Sequence, residues 1–167
     1  GRNITQGELT REFVETCYRQ NQRGDAALVA RIFESKKLYD HYAKVWRTYR
    51  AGIWERDEMQ STLVEASDAV AAAYAGLADT ICAEIEASPA PDPKKDPRVA
   101  QVGGLEKRIQ KIRSTGYLSG CLTFAESILG TVATEFDQHP GILVVNNGVL
   151  DFANGVFREH RPADRAT

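Results

Sequence analysis

Two stretches of this 167-residue chain carry residue types suited to chemistry on a polyanion. Between Asp92 and Arg113, seven cations (Lys94, Lys95, Arg98, Lys107, Arg108, Lys111 and Arg113) face three carboxylates, Asp92, Asp96 and Glu106. A basic helix face of that kind holds phosphates by counterion release, without reading base sequence. Earlier in the chain, Trp46 and Trp54 lie among Lys44, Arg47, Arg50 and Arg56. Indole rings beside cations suit single-stranded nucleic acid, which offers bases to stack and a charged backbone to neutralise. Each stretch also has a plainer reading. A charge run is more often a solvated face, and tryptophans in a small hairpin usually serve as core. Lys107, Arg108, Lys111, Arg113, Arg47, Arg50, Trp46 and Trp54 are therefore the candidate DNA-binding residues, and their placement decides between the two.

Other chemistry finds no support in the residue pattern. No G-x-x-x-x-G-K-[ST] phosphate cradle occurs, and no close acidic pair of the kind that holds a polymerising metal. His41, His139 and His160 are far apart and lack Cys or carboxylate partners at ligand spacing. No Ser or Cys sits in a nucleophile-elbow context. Cys17, Cys82 and Cys121 each fall on an apolar helical face, so they read as small buried hydrophobes rather than ligands or disulfides. The expectation is no catalytic residue, no metal and no cofactor within this chain.

The elements that must position these residues follow from periodicity. Thr5-Gln6-Gly7-Glu8 has the form of a capping box, opening a helix whose Leu9, Phe13, Val14 and Cys17 share a face. Asn21 to Gly24 reads as a polar break, with Asp25 capping a second short helix that turns Leu28, Val29, Ile32 and Phe33 inward. Leu38 to His41 reads as a strand, and residues 45–56 as an aromatic hairpin turning at Ala51-Gly52. From Met59 to about Ala87, apolar residues at four-three-four spacing predict one long helix, on the order of 40 Å at 1.5 Å per residue. Burial in its own domain is the plain expectation for that helix, and a self-association seam the sharper one. Residues 88–97 hold four of the six prolines and read as a linker or insertion. Val99 to Ile112 predicts a further helix, and Leu118 to Val132 a last one capped by Ser114 or Thr115.

The chain ends in a meander. Ile142–Val145 and Val149–Phe152 flank Asn146-Asn147-Gly148, and Asn-Gly between β-prone runs predicts a type I′ turn with both central residues at positive φ. A second turn follows at Ala153-Asn154-Gly155. The predicted architecture is α+β and mostly helical: about five helices, an aromatic hairpin near 45–56 and a C-terminal antiparallel meander, in a single domain over 1–167. Charge of −2 excludes a strongly nucleic-acid-coating protein but leaves room for a local basic patch. No apolar run approaches the ~20 residues of a membrane span and no secretory leader is visible, so the expected location is the cytoplasm. The single methionine, Met59, leaves the chain without a natural start, and a fragment of a longer protein is expected.

Phe136, Asp137, Pro140, Leu143, Asn147, Gly148, Val149, Asp151, Gly155, His160, Pro162, Asp164 and Thr167 fall in an ordered pattern over about thirty residues. That pattern resembles the end of the N-terminal domain of phage and plasmid primase–helicases, relatives of the poxvirus replicative NTPase. The capped first helix and the Trp-x-x-Tyr-x-x-Gly-x-Trp hairpin are similar to the same family. The resemblance implies a non-catalytic accessory module of a mobile-element replication protein, lying upstream of a superfamily-three helicase ATPase. It implies ATP and Mg for that downstream motor, with DNA, the motor and further copies of the protein as partners. The alternative is a docking or oligomerisation module with no direct DNA contact.

Overall fold

The computed structural model describes residues 9–131, 136–138 and 141–167. Five α-helices are described: α1 (Arg11–Arg19), α2 (Asn21–Phe33), α3 (Ser61–Ala87), α4 (Pro97–Ile112) and α5 (Thr115–Ile128). A four-stranded sheet of order β3-β2-β1-β4 joins β1 (Lys37–Asp40), β2 (Val45–Arg50), β3 (Ile53–Arg56) and β4 (Gly130–Thr131). The C-terminal sheet is the antiparallel meander β5 (Ile142–Val145), β6 (Gly148–Asp151) and β7 (Val156–Arg158). The chain is thus α+β and mostly helical.

The chain forms two compact units, Gly1–Ile32 with Leu63–Ala125, and Phe33–Thr62 with Glu126–Thr167. In the first, α3 supplies the centre. Ala66, Val70, Tyr74, Leu77 and Ile81 are buried at the predicted spacing, so the heptad-like stripe is consumed by the protein's own core. The self-association seam is thereby displaced. Met59 precedes the helix and is fully in solvent, leaving Leu63 as the first apolar stripe residue within it.

The start of α1 falls at Arg11, where the Thr10 hydroxyl accepts from the Phe13 amide. The proposed box at Thr5–Glu8 lies outside the described residues. Asn21 to Gly24 is not a break: α2 begins at Asn21, whose φ of 55° turns the chain within a single left-handed residue. Asp25 is therefore inside the helix rather than capping it. Gly24 permits α1 and α2 to touch, since a Cβ there would fall 1.8 Å from the Cys17 carbonyl oxygen.

The proline-rich segment is fastened. Asp96 caps α4 by accepting from the Arg98 amide, and Arg98 in turn donates to the carbonyls of Glu84 and Ser88 at the end of α3. A helix end leaves orphan carbonyls, and a guanidinium fork satisfies two of them together. Arg98 is thus removed from the basic face.

In the second unit, β1 and β4 run parallel, with Tyr39 opposite Gly130 and Asp40 opposite Thr131. The predicted last helix ends at Ile128, and Gly130–Thr131 pair with β1 instead; Val132 lies outside the described residues. Gly130 lets the His41 ring approach, since a Cβ there would lie 2.2 Å from Nε2. In the meander, Val145 pairs with Gly148, so the loop residues are Asn146 and Asn147. Neither is left-handed, and the predicted type I′ turn at Asn147-Gly148 does not form. Gly148 serves sterics instead: a Cβ would sit 2.6 Å from the Arg158 carbonyl oxygen across the sheet.

Candidate functional site

On α4, the basic face divides. Lys107, Lys111 and Arg113 are exposed, whereas the Arg108 side chain is only 11% exposed and points into its own unit. Its Nη1 donates to both oxygens of Asp25 at 3.0 Å, and its Nη2 donates to Asn21 Oδ1 at 2.9 Å. The guanidinium lies 5.1 Å from the Tyr18 ring centroid. Asp25 is fully buried and also accepts from the hydroxyls of Tyr74 and Tyr117. A carboxylate taken out of water needs its lone pairs satisfied and its charge matched, and these three side chains do both. Burial raises the pKa of the Tyr74 and Tyr117 hydroxyls, as does donation to Asp25. Burial likewise pushes the Cys17 thiol up to about 11 and the Cys121 thiol up to about 12, with the Asp25 charge adding to it. Both thiols are buried and free as expected, while Cys82 is half-buried. Arg108 is accordingly corrected from a solvated cation to an internal one. The cause is Asp25, which sits inside α2 rather than capping it.

The aromatic hairpin divides in the same way. Arg47 is buried, with Nε donating to Asp40 Oδ2 at 3.0 Å and Nη1 to the Trp54 carbonyl at 3.2 Å. Its guanidinium also lies 4.7 Å from the Phe136 ring. Burial pushes the Asp40 carboxyl upward, but bonds from the Ala43 and Tyr42 amides and from Arg47 outweigh it and hold it below the ordinary range. Trp54 is 3% exposed; its Nε1 donates to the Pro162 carbonyl and its backbone amide to the Ala166 carbonyl. Arg47 and Trp54 are therefore corrected from surface candidates to core. Trp46 is half-buried, edge-on to Tyr39 at 5.4 Å, and Arg50 is exposed.

The residues of the C-terminal pattern are fasteners. Asp137 accepts from the backbone amide and hydroxyl of Thr167. Asp151 closes the second turn by accepting from the amides of Ala153 and Asn154 and from the Asn154 side chain. The side-chain bond from Asn154 leads the causes that lower its pKa. His160 donates from Nε2 to the Val145 carbonyl at 2.7 Å, its ring seated over Gly52, where a Cβ would collide with it. Asp164 takes a two-pronged pair from Arg158, which holds its pKa down. Pro162 offers its carbonyl to Trp54, Gly155 supplies a positive φ of 63°, and Asn147 is an exposed loop residue. Pro140 and His139 lie outside the described residues. No group of three or more His, Cys, Asp or Glu that could hold a metal occurs among the described residues.

The family described as D5 N terminal like matches residues 26–167. The chain belongs to this family, the N-terminal domain of primase–helicase proteins. No curated protein matches the chain. The matched span of this D5 N-terminal-like domain begins one residue after Asp25 and takes in the hairpin and the whole meander.

The open face of the meander bears on the docking alternative. Leu143 pairs with Leu150, and Leu150 with Phe157, so the three form a continuous row across one face of the meander. They are 49%, 37% and 52% exposed. Phe152 beside them is also open to solvent; on the opposite face Val149 is fully buried, while Val156, paired there with Asp151, is exposed. The signal was present in the strand composition. Ile142–Val145 is apolar without alternation, and a strand apolar on both faces is one that expects a cover on both.

Proposed function

We propose that this D5 N-terminal-like domain is an accessory, non-catalytic module that seats the motor of a primase–helicase against the open face of its C-terminal meander. The observation that carries the reading is the Leu143–Leu150–Phe157 row. A contiguous apolar patch left in water is unfavourable for a soluble protein and marks a place where another surface belongs. The fasteners around it support the reading, because a sheet pinned at Asp137–Thr167, His160–Val145 and Arg158–Asp164 presents the row rigidly. A preorganised surface loses less ordering entropy on association. The partner is the ATPase domain downstream of the module, and ATP with Mg belongs to that domain. No described helix is long and apolar enough to cross a membrane, and the proposed setting is the cytoplasm.

The test is association of the domain with the ATPase module of the same protein, read by light scattering and calorimetry. Leu150→Ser with Phe157→Ser should leave the circular dichroism spectrum unchanged and weaken association by about tenfold or more, as loss of two partly buried anchors predicts. Undiminished association would sink the docking surface.

A second reading adds direct DNA contact, and Lys107, Lys111 and Arg113 on α4 favour it. They are exposed cations on the last two turns and the C-cap of one helix, where their charges also complement the negative helix end. Arg50 and Trp46 are the remaining accessible candidates from the hairpin, and they lie in the other unit.

A further inference from the structure

Within the second unit, a cavity of about 300 Å³ opens between the start of β1, the end of α5 and the segment after β7. Leu38, Trp54 and Pro162 contribute apolar wall; Ser35, Lys37 and Arg165 are its polar lining residues, and no carboxylate lines it. Its size is at the lower end for small-molecule sites, and an apolar wall with a few polar groups is their usual make-up.

Three observations bear on this cavity. Arg165 Nη1 is buried and has no hydrogen-bond partner among the described residues. A buried guanidinium nitrogen without an acceptor is unfavourable, so native structures seldom retain one without a reason. Second, Arg165 is held in the left-handed region at φ 50°, and Ser35 across the cavity at φ 62°. Non-glycine residues in that region are strained, and such strain gathers at ligand clamps. Third, the Arg165 backbone is fastened on both sides. Its amide donates to the Pro162 carbonyl, its carbonyl accepts from the Asp137 amide, and the next carbonyl accepts from Trp54. Its guanidinium meanwhile lies 5.4 Å from the Trp54 ring centroid. The surrounding bonds hold the strained residue with its cation on an aromatic platform, at the edge of a cavity with no anion of its own.

We infer that this cavity is an oxyanion site, taking a phosphate or carboxylate group carried on a small apolar body, with Arg165 as the recognising cation. The planar guanidinium matches either group with paired donors. Leu38, Trp54 and Pro162 receive the apolar body. Lys37 lines the wall, and its Nζ donates to Thr48 and Thr62. The inference stands apart from the docking reading, since the exposed meander row contributes nothing to this cavity.

The experiment is titration of the domain with inorganic phosphate, acetate, phenyl phosphate and benzoate at constant ionic strength, followed by calorimetry and amide NMR. Saturable binding is expected, tighter for phenyl phosphate than for phosphate and for benzoate than for acetate, with shifts at Ser35–Leu38 and Ile128–Gly130. The preferred pair tells whether phosphate or carboxylate is the natural group. Arg165→Gly suits the left-handed backbone and keeps the fold, and it should weaken binding about tenfold or more. Arg165→Lys, which keeps the charge and loses the fork, should fall between. Absence of saturable binding would overturn the site, as would equal binding by Arg165→Gly or shifts confined to Lys107–Arg113.

Discussion

Replacing Arg108 by methionine distinguishes an internal cation from a solvated one more sharply than any other single change. The substitution keeps the length and apolar stem of the side chain while deleting three hydrogen bonds, two to Asp25 and one to Asn21. It leaves the fully buried Asp25 charge facing only the Tyr74 and Tyr117 hydroxyls. Removing one partner of a buried ion pair costs about 3–5 kcal/mol, chiefly because the other charge is stranded. With the Arg108 side chain 11% exposed, solvent screening reduces that figure only modestly. For a chain of this size 1 kcal/mol moves Tm by about 2–4 °C, so a fall of roughly 6–20 °C is expected. Thermal unfolding followed by circular dichroism measures that fall, and urea unfolding measures the free-energy loss directly. The double variant Arg108→Met with Asp25→Asn should recover part of the loss, since the buried charge goes while the amide oxygen accepts from one tyrosine hydroxyl and the amide nitrogen donates to the other. A cost below about 0.5 kcal/mol is typical of surface changes. That result would place Arg108 in solvent and refute the internal network.

Asp57 caps α3, accepting from the amides and hydroxyls of both Ser61 and Thr62. Burial works against its charge, but those bonds prevail and hold its pKa down to about 2. Because the folded value is depressed, the stabilisation is present above the unfolded carboxylate range and is lost as pH falls from about 4 through about 2. Asp57→Ala should lower stability by about 1–2 kcal/mol at neutral pH and flatten the acid limb of the stability curve; an unchanged limb would remove the cap. Reversing Lys107, Lys111 and Arg113 to Glu should leave Tm within about 2 °C. If the second reading holds, it should also reduce the salt slope of duplex binding in fluorescence anisotropy by about 3. Unaltered DNA affinity would return that face to plain solvated surface.

Much of the fold was legible because local rules and tertiary packing agree. The stripe of α3 from Ala66 to Ile81 buries the residues its spacing selects, and the meander strands occur where the apolar runs predict. The failures share a cause, which is information held by distant partners. Asp25 resembles a cap until Arg108, 83 residues later, is seen to neutralise it. Arg47 and Trp54 resemble a stacking surface until Asp40 and Pro162 take their polar atoms. Gly148 suggests a turn by its neighbour Asn147, whereas the carbonyl of Arg158 on the next strand is what excludes a side chain. The oxyanion cavity had no local signature, since its strained residues, Ser35 and Arg165, are 130 positions apart.

The interleaving of the two units imposes an order on synthesis. The chain passes between them at residues 32/33, 62/63 and 125/126, so neither unit is a contiguous segment. Strands β1 to β3 emerge from the ribosome early, but the carbonyls that receive the Trp54 indole and amide belong to Pro162 and Ala166. At about 5–20 residues per second, the hairpin waits several seconds for its last partners. The first unit's helices are complete by then, while the second unit closes only as Pro162, Ala166 and Thr167 arrive. A nascent chain halted short of them keeps Trp54 without its partners and the Asp137 carboxylate without Thr167. Closure of the second unit is thereby coupled to synthesis of residues 162–167, and protease sensitivity near the hairpin becomes a readout of whether synthesis has passed them.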